Sequence, residues 1–460
     1  MLSMQKTIDA LAGHGLKVVG MPAEYTAVST DSRSIKPGEM FIALRGENFD
    51  GHAFVRDVLQ KQAACALVDH AWLAENPNED LPLLVVDETR AAFASLAAAW
   101  RATFTIPLIG VVGSNGKTTV KEMIASILAA EFGAESRLAT TGNLNNDIGV
   151  PTMLLRLKPE HKAAVIEMGM NHPGETAVLA RTAQATVAII NNAQREHQEF
   201  MKTIAAVAEE HAAVITALPA SGVAVLNADD EFFLDWLRAS GQRKILSFGF
   251  NAEADVRCAA TDNGSVLHLQ TPMGAAEIQL ATIGTHNLRN ALGAAAAALA
   301  AGCSLDAIAT GLAAFRPVKG RLQTHTGLHD CTVIDDTYNA NPDSVRAAID
   351  VLAAVPGRRV LVLGDMGEVG DQGGQYHDEI GGYAKSQGVD VLLALGEMSI
   401  ATTYNFGLGS LHFDSVEKLV HELKPLLNSK TTVLIKGSRF MRMERVVEAI
   451  IDKPRGHHAA

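Results

Sequence analysis

The sequence predicts an α/β protein of three domains: a small α/β domain over residues 1–83, a central parallel-sheet domain over 84–316 and a Rossmann-like domain over 317–460. Three observations carry that reading. The chain has 460 residues, about three times the ~150 of an ordinary domain. Short, continuously apolar runs recur between helix-length segments, the pattern of strands buried on both faces of a parallel sheet. That alternation gives way to an alanine-rich helical stretch and then restarts past residue 317, which makes a third unit the economical reading.

In the first unit, short β-type runs at 40–44 and 65–68 lie among turn-rich segments such as IKPGEM and GENFDGH. The centre opens with IPLIGVV at 106–112 and adds apolar runs at 163–166, 186–190, 223–226 and 244–248. SVLHLQTPMGAAEIQL, at 265–280, alternates and turns like a β-hairpin, and 287–301 has helical composition. In the third unit, strands are expected at 332–334, 359–363, 389–394 and 432–435. No solenoid period is present, and the terminal GHHAA reads as a frayed end.

Composition narrows the function classes. Lys and Arg number 39 against 51 Asp and Glu, a formal charge of −12, which argues against a general nucleic-acid-binding protein. Cys65, Cys258, Cys303 and Cys331 are scattered without metal-ligand spacing, so neither a disulfide framework nor a zinc site is expected. The first twenty residues lack a basic stretch followed by an apolar one, and the greasiest run, 291–303, is shorter than the ~20 residues a membrane helix needs. A soluble cytoplasmic protein without membrane insertion is expected, and nothing in the sequence demands more than a monomer.

The strongest chemical signal is GVVGSNGKTTVKEM. An apolar strand ends at Val112, the loop GSNGKTT follows, and a helix-forming sequence starts at Val120. Gly113, Ser114, Asn115 and Gly116 can curl backbone N–H groups around a phosphate. Lys117 supplies a point charge, and Thr118, followed by Thr119, can place its hydroxyl on Mg²⁺. The strict Walker spacing wants glycine where Val111 stands. The competing reading is a glycine-rich turn with a surface lysine. A phosphate loop alone does not name a reaction.

The spelling of this loop resembles that of the Mur ligases, ATP-dependent amide-forming enzymes of peptidoglycan precursor synthesis. Further motifs stand in the family's order: TGNLNNDIGVP, EMGMN, NNAQREHQEF and GTHNLRN in the centre, DSRSIKPGEMFIALRGENFDGHAFV near the start, and DDTYNANPDS, LGDMGEVG and KGSRFMRME near the end. The resemblance covers about 31–444. The terminal motifs are most similar to the member that joins D-alanyl-D-alanine to UDP-N-acetylmuramoyl-tripeptide. The DNPR signature with which another member recognises its amino acid is absent. Another ligase of this type, a folylpolyglutamate-like enzyme, or a nucleotide-switch binding protein are the alternatives.

The resemblance implies roles residue by residue. Amide formation needs the carboxylate activated by phosphoryl transfer, with cations where charge develops. Lys117, Glu167, His197 and Arg321 are the implied catalytic set, with Thr118, Glu167 and His197 as Mg²⁺ ligands. His286, Asn287, Asn290 and Asp336 are implied to hold the nucleotide with Arg321, although Asn287 can equally cap a helix and Asp335 cannot be told apart from Asp336. Ser32, Arg33, Arg45 and His52 are implied at the UDP-sugar, with a turn-stabilising role as the alternative for Arg45 and His52. Asn143, Asn145 and Asn146 are implied along the muramoyl-peptide path, and Asn339, Asn341, Asp365 and Glu368 at the dipeptide. One departure stands out. Many family members carry a carbamylated lysine in the helix after His197, and this chain reads AVAEEHAAV, with Glu209, Glu210 and His211. Either Glu210 or His211 is therefore expected to hold a second metal directly, or that metal is expected to sit with fewer protein ligands.

Overall fold

The apolar runs pair mainly with sequence-local neighbours, and three main sheets result. The structure, a computed structural model, describes residues 1–46, 49–77, 80–262 and 265–451. Part of the GENFDGH segment and the terminal GHHAA lie outside them.

The first sheet runs Lys17–Val19, Leu83–Val86, Cys65–Asp69, Met40–Ile42, Val28–Ser29. Only its Lys17–Val19 edge is antiparallel. Strand Leu83–Val86 is buried along its whole length between two neighbours, so this sheet continues past residue 83, where the sequence suggested a boundary. Register between distant strands decides that, and no local signal reports it. Helix Thr89–Arg101 then bridges two cores: Ala92, Phe93 and Leu96 pack into the first, while Ala97 packs into the central one.

The central sheet has nine strands. Its parallel part runs Val256–Asp262, Lys244–Gly249, Val223–Asn227, Val187–Ile190, Leu108–Val112, Ala163–Glu167, Arg137–Ala139. The expected hairpin forms as Val266–Thr271 and Gly274–Gln279 and extends this sheet antiparallel at one edge. Helix Thr285–Ala300 covers one face, and its small side chains allow the close approach: a Cβ on Gly293 would stand 3.0 Å from the Phe248 ring. Strand Leu108–Val112 sits between Ala163–Glu167 and Val187–Ile190. The segments leaving the carboxyl ends of these three strands carry the phosphate loop, Glu167 and residues 191–197, the crevice where α/β sheets hold ligands.

The third sheet runs Gln323–Thr326, Thr332–Asp336, Thr431–Lys436, Arg358–Gly364, Val391–Leu395, Ser410–Phe413. It is parallel except at the Gln323–Thr326 edge. Ser410–Phe413 gave no sequence signal because it is a short, half-exposed edge strand. Among the described residues, no helix is long and apolar enough to cross a membrane.

Candidate active site

The phosphate loop closes at the start of helix Lys117–Phe132. Gly113 and Gly116 have φ of +142° and +81°, and a Cβ on Gly116 would stand 2.5 Å from Asn290 Oδ1. Only glycine fits such a position without strain. Residues 191–194 run beside the loop and fix it: Asn115 N donates to Asn192 Oδ1 at 2.8 Å, Ser114 N donates to the Asn192 carbonyl at 3.0 Å, and Gln194 N donates to Ser114 Oγ at 2.8 Å. Lys117 Nζ donates to the carbonyls of Gly113 (2.5 Å) and Ser114 (3.3 Å) and to Glu196 Oε2 (3.1 Å).

Beside the loop, Glu167 is almost fully buried at the end of its strand. Its Oε1 accepts from Thr118 Oγ1 at 3.2 Å and from Asn145 Nδ2 at 2.8 Å, while its Oε2 is buried with no partner. A buried carboxylate oxygen left unpaired is costly, and a cation would satisfy it. Thr118 and Glu167 thus fit an oxygen-liganded divalent cation. Among the described residues, no three His, Cys, Asp or Glu side chains form a ready-made metal cluster.

The third unit reaches over this loop from the far side. Arg321 Nη2 donates to Thr118 Oγ1 at 2.9 Å, and the guanidinium lies 4.0 Å over the Tyr338 ring. Asn341 Nδ2 donates to Asn115 Oδ1 at 2.9 Å. Arg195 is bonded to Asp343 at 2.6 Å and to Glu379 at 2.8 Å. These contacts enclose a cleft of about 1500 Å³ lined by the phosphate loop, Glu167, Arg321, His286, Asp336 and Lys436.

The chain matches three family models in order: Mur ligase family, catalytic domain, over residues 24–101; Mur ligase middle domain over 111–298; and Mur ligase, glutamate ligase domain, over 320–439. It is 40% identical to the UDP-N-acetylmuramoyl-tripeptide--D-alanyl-D-alanine ligase of Escherichia coli (strain K12), over 98% of each chain. The chain belongs to the Mur ligase family. Among solved structures it resembles MurF from Acinetobacter baumannii, with a TM-score of 0.89 and 34% identity over 97% of this chain and 98% of that one. MurF ligase from Thermotoga maritima in complex with ADP gives a TM-score of 0.82 and 25% identity over 92% and 96%.

Not every residue expected of a Mur ligase stands free in the cleft. Asn287 Nδ2 donates to Thr282 Oγ1 and to the Ile283 carbonyl, and its Oδ1 accepts from Asn290, whose own Oδ1 accepts from Asn191. That network underpins the loop, and it commits the Asn287 amide to the helix start. Asp365 does not line the cleft: its carboxylate accepts from the backbone of Met398 and Ser399, because the strand end it occupies faces the next crossover. Asn146 and Asn339 line the cleft with their Oδ1 atoms engaged locally: Asn146 Oδ1 accepts from Gly149 N, and Asn339 Oδ1 accepts from Ala340 N. Asn143 lines the cleft with Asn145. Asp335 binds Thr337 internally, whereas Asp336 lines the cleft and accepts from Lys436 Nζ at 2.5 Å, which separates the pair.

His197 Nδ1 lies 2.7 Å from Glu368 Oε2, and its Nε2 is 3.9 Å from Glu196, so its ring stands between two carboxylates. Glu368 lines the cleft, and the bond to His197 holds its carboxyl below the usual range. Glu210 does not line the cleft: it accepts from Gly174 N and Thr176 N at the start of helix Glu175–Ala183. Ser32, Arg33, Arg45 and His52 lie outside the cleft. Arg33 pairs with Asp31, Arg45 with Asp50 and Asp69, and His52 Nδ1 with Asp50, the turn-stabilising arrangement. A link runs from them to the cleft, since Arg90 donates both to the Arg45 carbonyl and to Asp147.

Sequence reasoning missed Glu196, Lys436, Arg195 and Tyr338. Two charged residues directly before His197 in a chain segment leaving a buried strand were the available signal for Arg195 and Glu196. Lys436, buried at the end of an apolar strand in VLIKGS, was legible by the argument that singled out Glu167.

Proposed function

We propose that this Mur ligase joins D-alanyl-D-alanine to the terminal carboxylate of UDP-N-acetylmuramoyl-tripeptide, with ATP as the phosphoryl donor and an acyl phosphate as the intermediate. The observation that carries the reading is the convergence of Lys117, Glu167 and Arg321 on one cleft, the last arriving from the third unit. The full-length likeness to the Escherichia coli enzyme supports the choice of substrates.

The chain's own groups divide the work. Backbone N–H groups of 113–119 and the start of helix Lys117–Phe132 receive phosphate oxygens, and Lys117 adds a positive charge held at the loop. Arg321 brings a second cation to the opposite side, so charge on the transferring group is balanced only when the third unit is docked. Thr118 and Glu167 would hold Mg²⁺, which supplies positive charge at the phosphate oxygens when bound. His197, beside Glu368, is a candidate for a further metal contact or for orienting the incoming amine. The amine attacks the acyl carbon, phosphate leaves, and enclosure of the cleft keeps water from competing.

The first unit, the central unit and the third are proposed to serve the UDP-sugar, ATP and the dipeptide respectively, with the cytoplasm as the site of reaction. Phosphate release from ATP, assayed with UDP-muramoyl-tripeptide in the presence and absence of D-alanyl-D-alanine, tests this. Release that requires both substrates is expected. Release with neither, or with a single amino acid in place of the dipeptide, would exclude it.

A further inference from the structure

Glu196 lies under the phosphate loop with both carboxylate oxygens committed. Oε2 accepts from Lys117 Nζ at 3.1 Å, and Oε1 is 3.0 Å from His211 Nε2. Glu196 is 5% exposed and His211 1%, so the chain Lys117–Glu196–His211 is closed to solvent beyond the lysine. His211 projects from helix Ile204–Thr216, and its Nδ1 is buried without a partner, which leaves Glu196 as the group it serves. The other acceptors of Lys117 are two loop carbonyls, so Glu196 is the charged one.

We propose that Glu196, braced by His211, is a positioning residue that fixes Lys117 over the loop and sets how tightly that lysine holds a phosphate. A carboxylate in contact with the ammonium competes with any phosphate for it, so a bound nucleotide is held less tightly than by an unpaired lysine. The same contact, with the two carbonyls, confines Nζ to one place. Ground-state hold is thereby lowered while orientation is kept, the division that favours turnover over binding. The inference rests on the nucleotide reading of this cleft.

The test is calorimetric ADP binding, with Mg²⁺, to full-length wild type, Glu196→Gln, Lys117→Met and the double variant, together with steady-state kinetics. Glu196→Gln keeps shape and removes the competing charge. It is expected to tighten ADP by about 5-fold, the size of a direct-contact coupling, and to lower kcat. In the Lys117→Met background the gain should vanish. His211→Gln, which loosens the brace without touching Glu196, should move both quantities the same way by less, and it serves if Glu196→Gln does not fold. Unchanged or weaker ADP binding in the Glu196 variant, or an equal gain without Lys117, overturns the proposal. Absence of ADP binding by the wild type would instead overturn the nucleotide reading beneath it.

Discussion

Arg321 Nη2 donates to Thr118 Oγ1 over 2.9 Å, so one guanidinium joins the third unit to the hydroxyl that also donates to Glu167. The side chain is held on its other side by the Tyr338 ring, and its Nε is buried without a partner. A cation fixed this way is preorganised for charge that develops only when a phosphoryl group is in transit.

Arg321→Ala should lower kcat by roughly 10²–10³, the cost of removing one preorganised donor, with little change in Tm. Arg321→Lys should recover little, because an ammonium neither stacks flat on Tyr338 nor reaches in two directions. Steady-state kinetics with thermal melts check both.

Lys117→Ala should abolish turnover and lower stability by leaving the buried Glu196 carboxylate without its cation, while the fold survives because Lys117 belongs to neither apolar core of the central unit. Far-UV circular dichroism and phosphate release measure the two halves of that statement. Near-normal activity would remove the phosphate loop from the mechanism.

Glu167→Gln preserves shape but not the ability to satisfy a divalent cation. The Mg²⁺ concentration for half-maximal activity should rise by about 10-fold or more. A Mg²⁺ titration of initial rates decides it, and an unchanged midpoint would place the metal elsewhere.

Arg195→Ala removes a clamp that holds Asp343 and Glu379 together from the other side of the cleft. Two half-buried carboxylates are then left beside each other, with Arg346 bonded only to Glu379. A loss of about 1–3 kcal/mol in docking of the third unit is expected, read as a larger radius of gyration in solution scattering and a raised KM for ATP.

His286 has a definite pH consequence. Burial, with Lys436 and Arg289 nearby, pushes its imidazole down to about 4, against the opposing pull of Asp336 and Asp350. Above the ordinary histidine range folded and unfolded forms are both neutral. As pH falls from about 6.5 towards 4 the unfolded chain takes up a proton that the folded chain refuses, so this group costs stability over that window. Urea unfolding at pH 7 and pH 5 should show His286→Asn losing less stability on acidification than wild type, by up to about 2 kcal/mol.

Glu167 and the loop 113–119 were legible because a carboxylate ending a buried strand and glycines before a lysine are locally improbable unless they do chemistry. Asp365 satisfied the same strand-end rule, yet its carboxylate turned to the backbone of Met398 and Ser399. Which way a strand-end side chain faces depends on where the following crossover lies. Asn287 and Asn290 show the same limit: an asparagine amide serves a ligand or a network equally well, and only the tertiary structure shows that these two line the cleft while bonding to Thr282 and Asn191.

The sequence by itself determined the α/β class, the three successive sheets, the phosphate loop and the family, because these depend on periodicity and on local residue chemistry. Only the tertiary structure decided that strand Leu83–Val86 belongs inside the first sheet, that Arg321 meets Thr118 from 203 residues away, and that Glu196 and His211 brace Lys117. Those are distances between segments far apart in the chain, and the packing of whole sheets sets them.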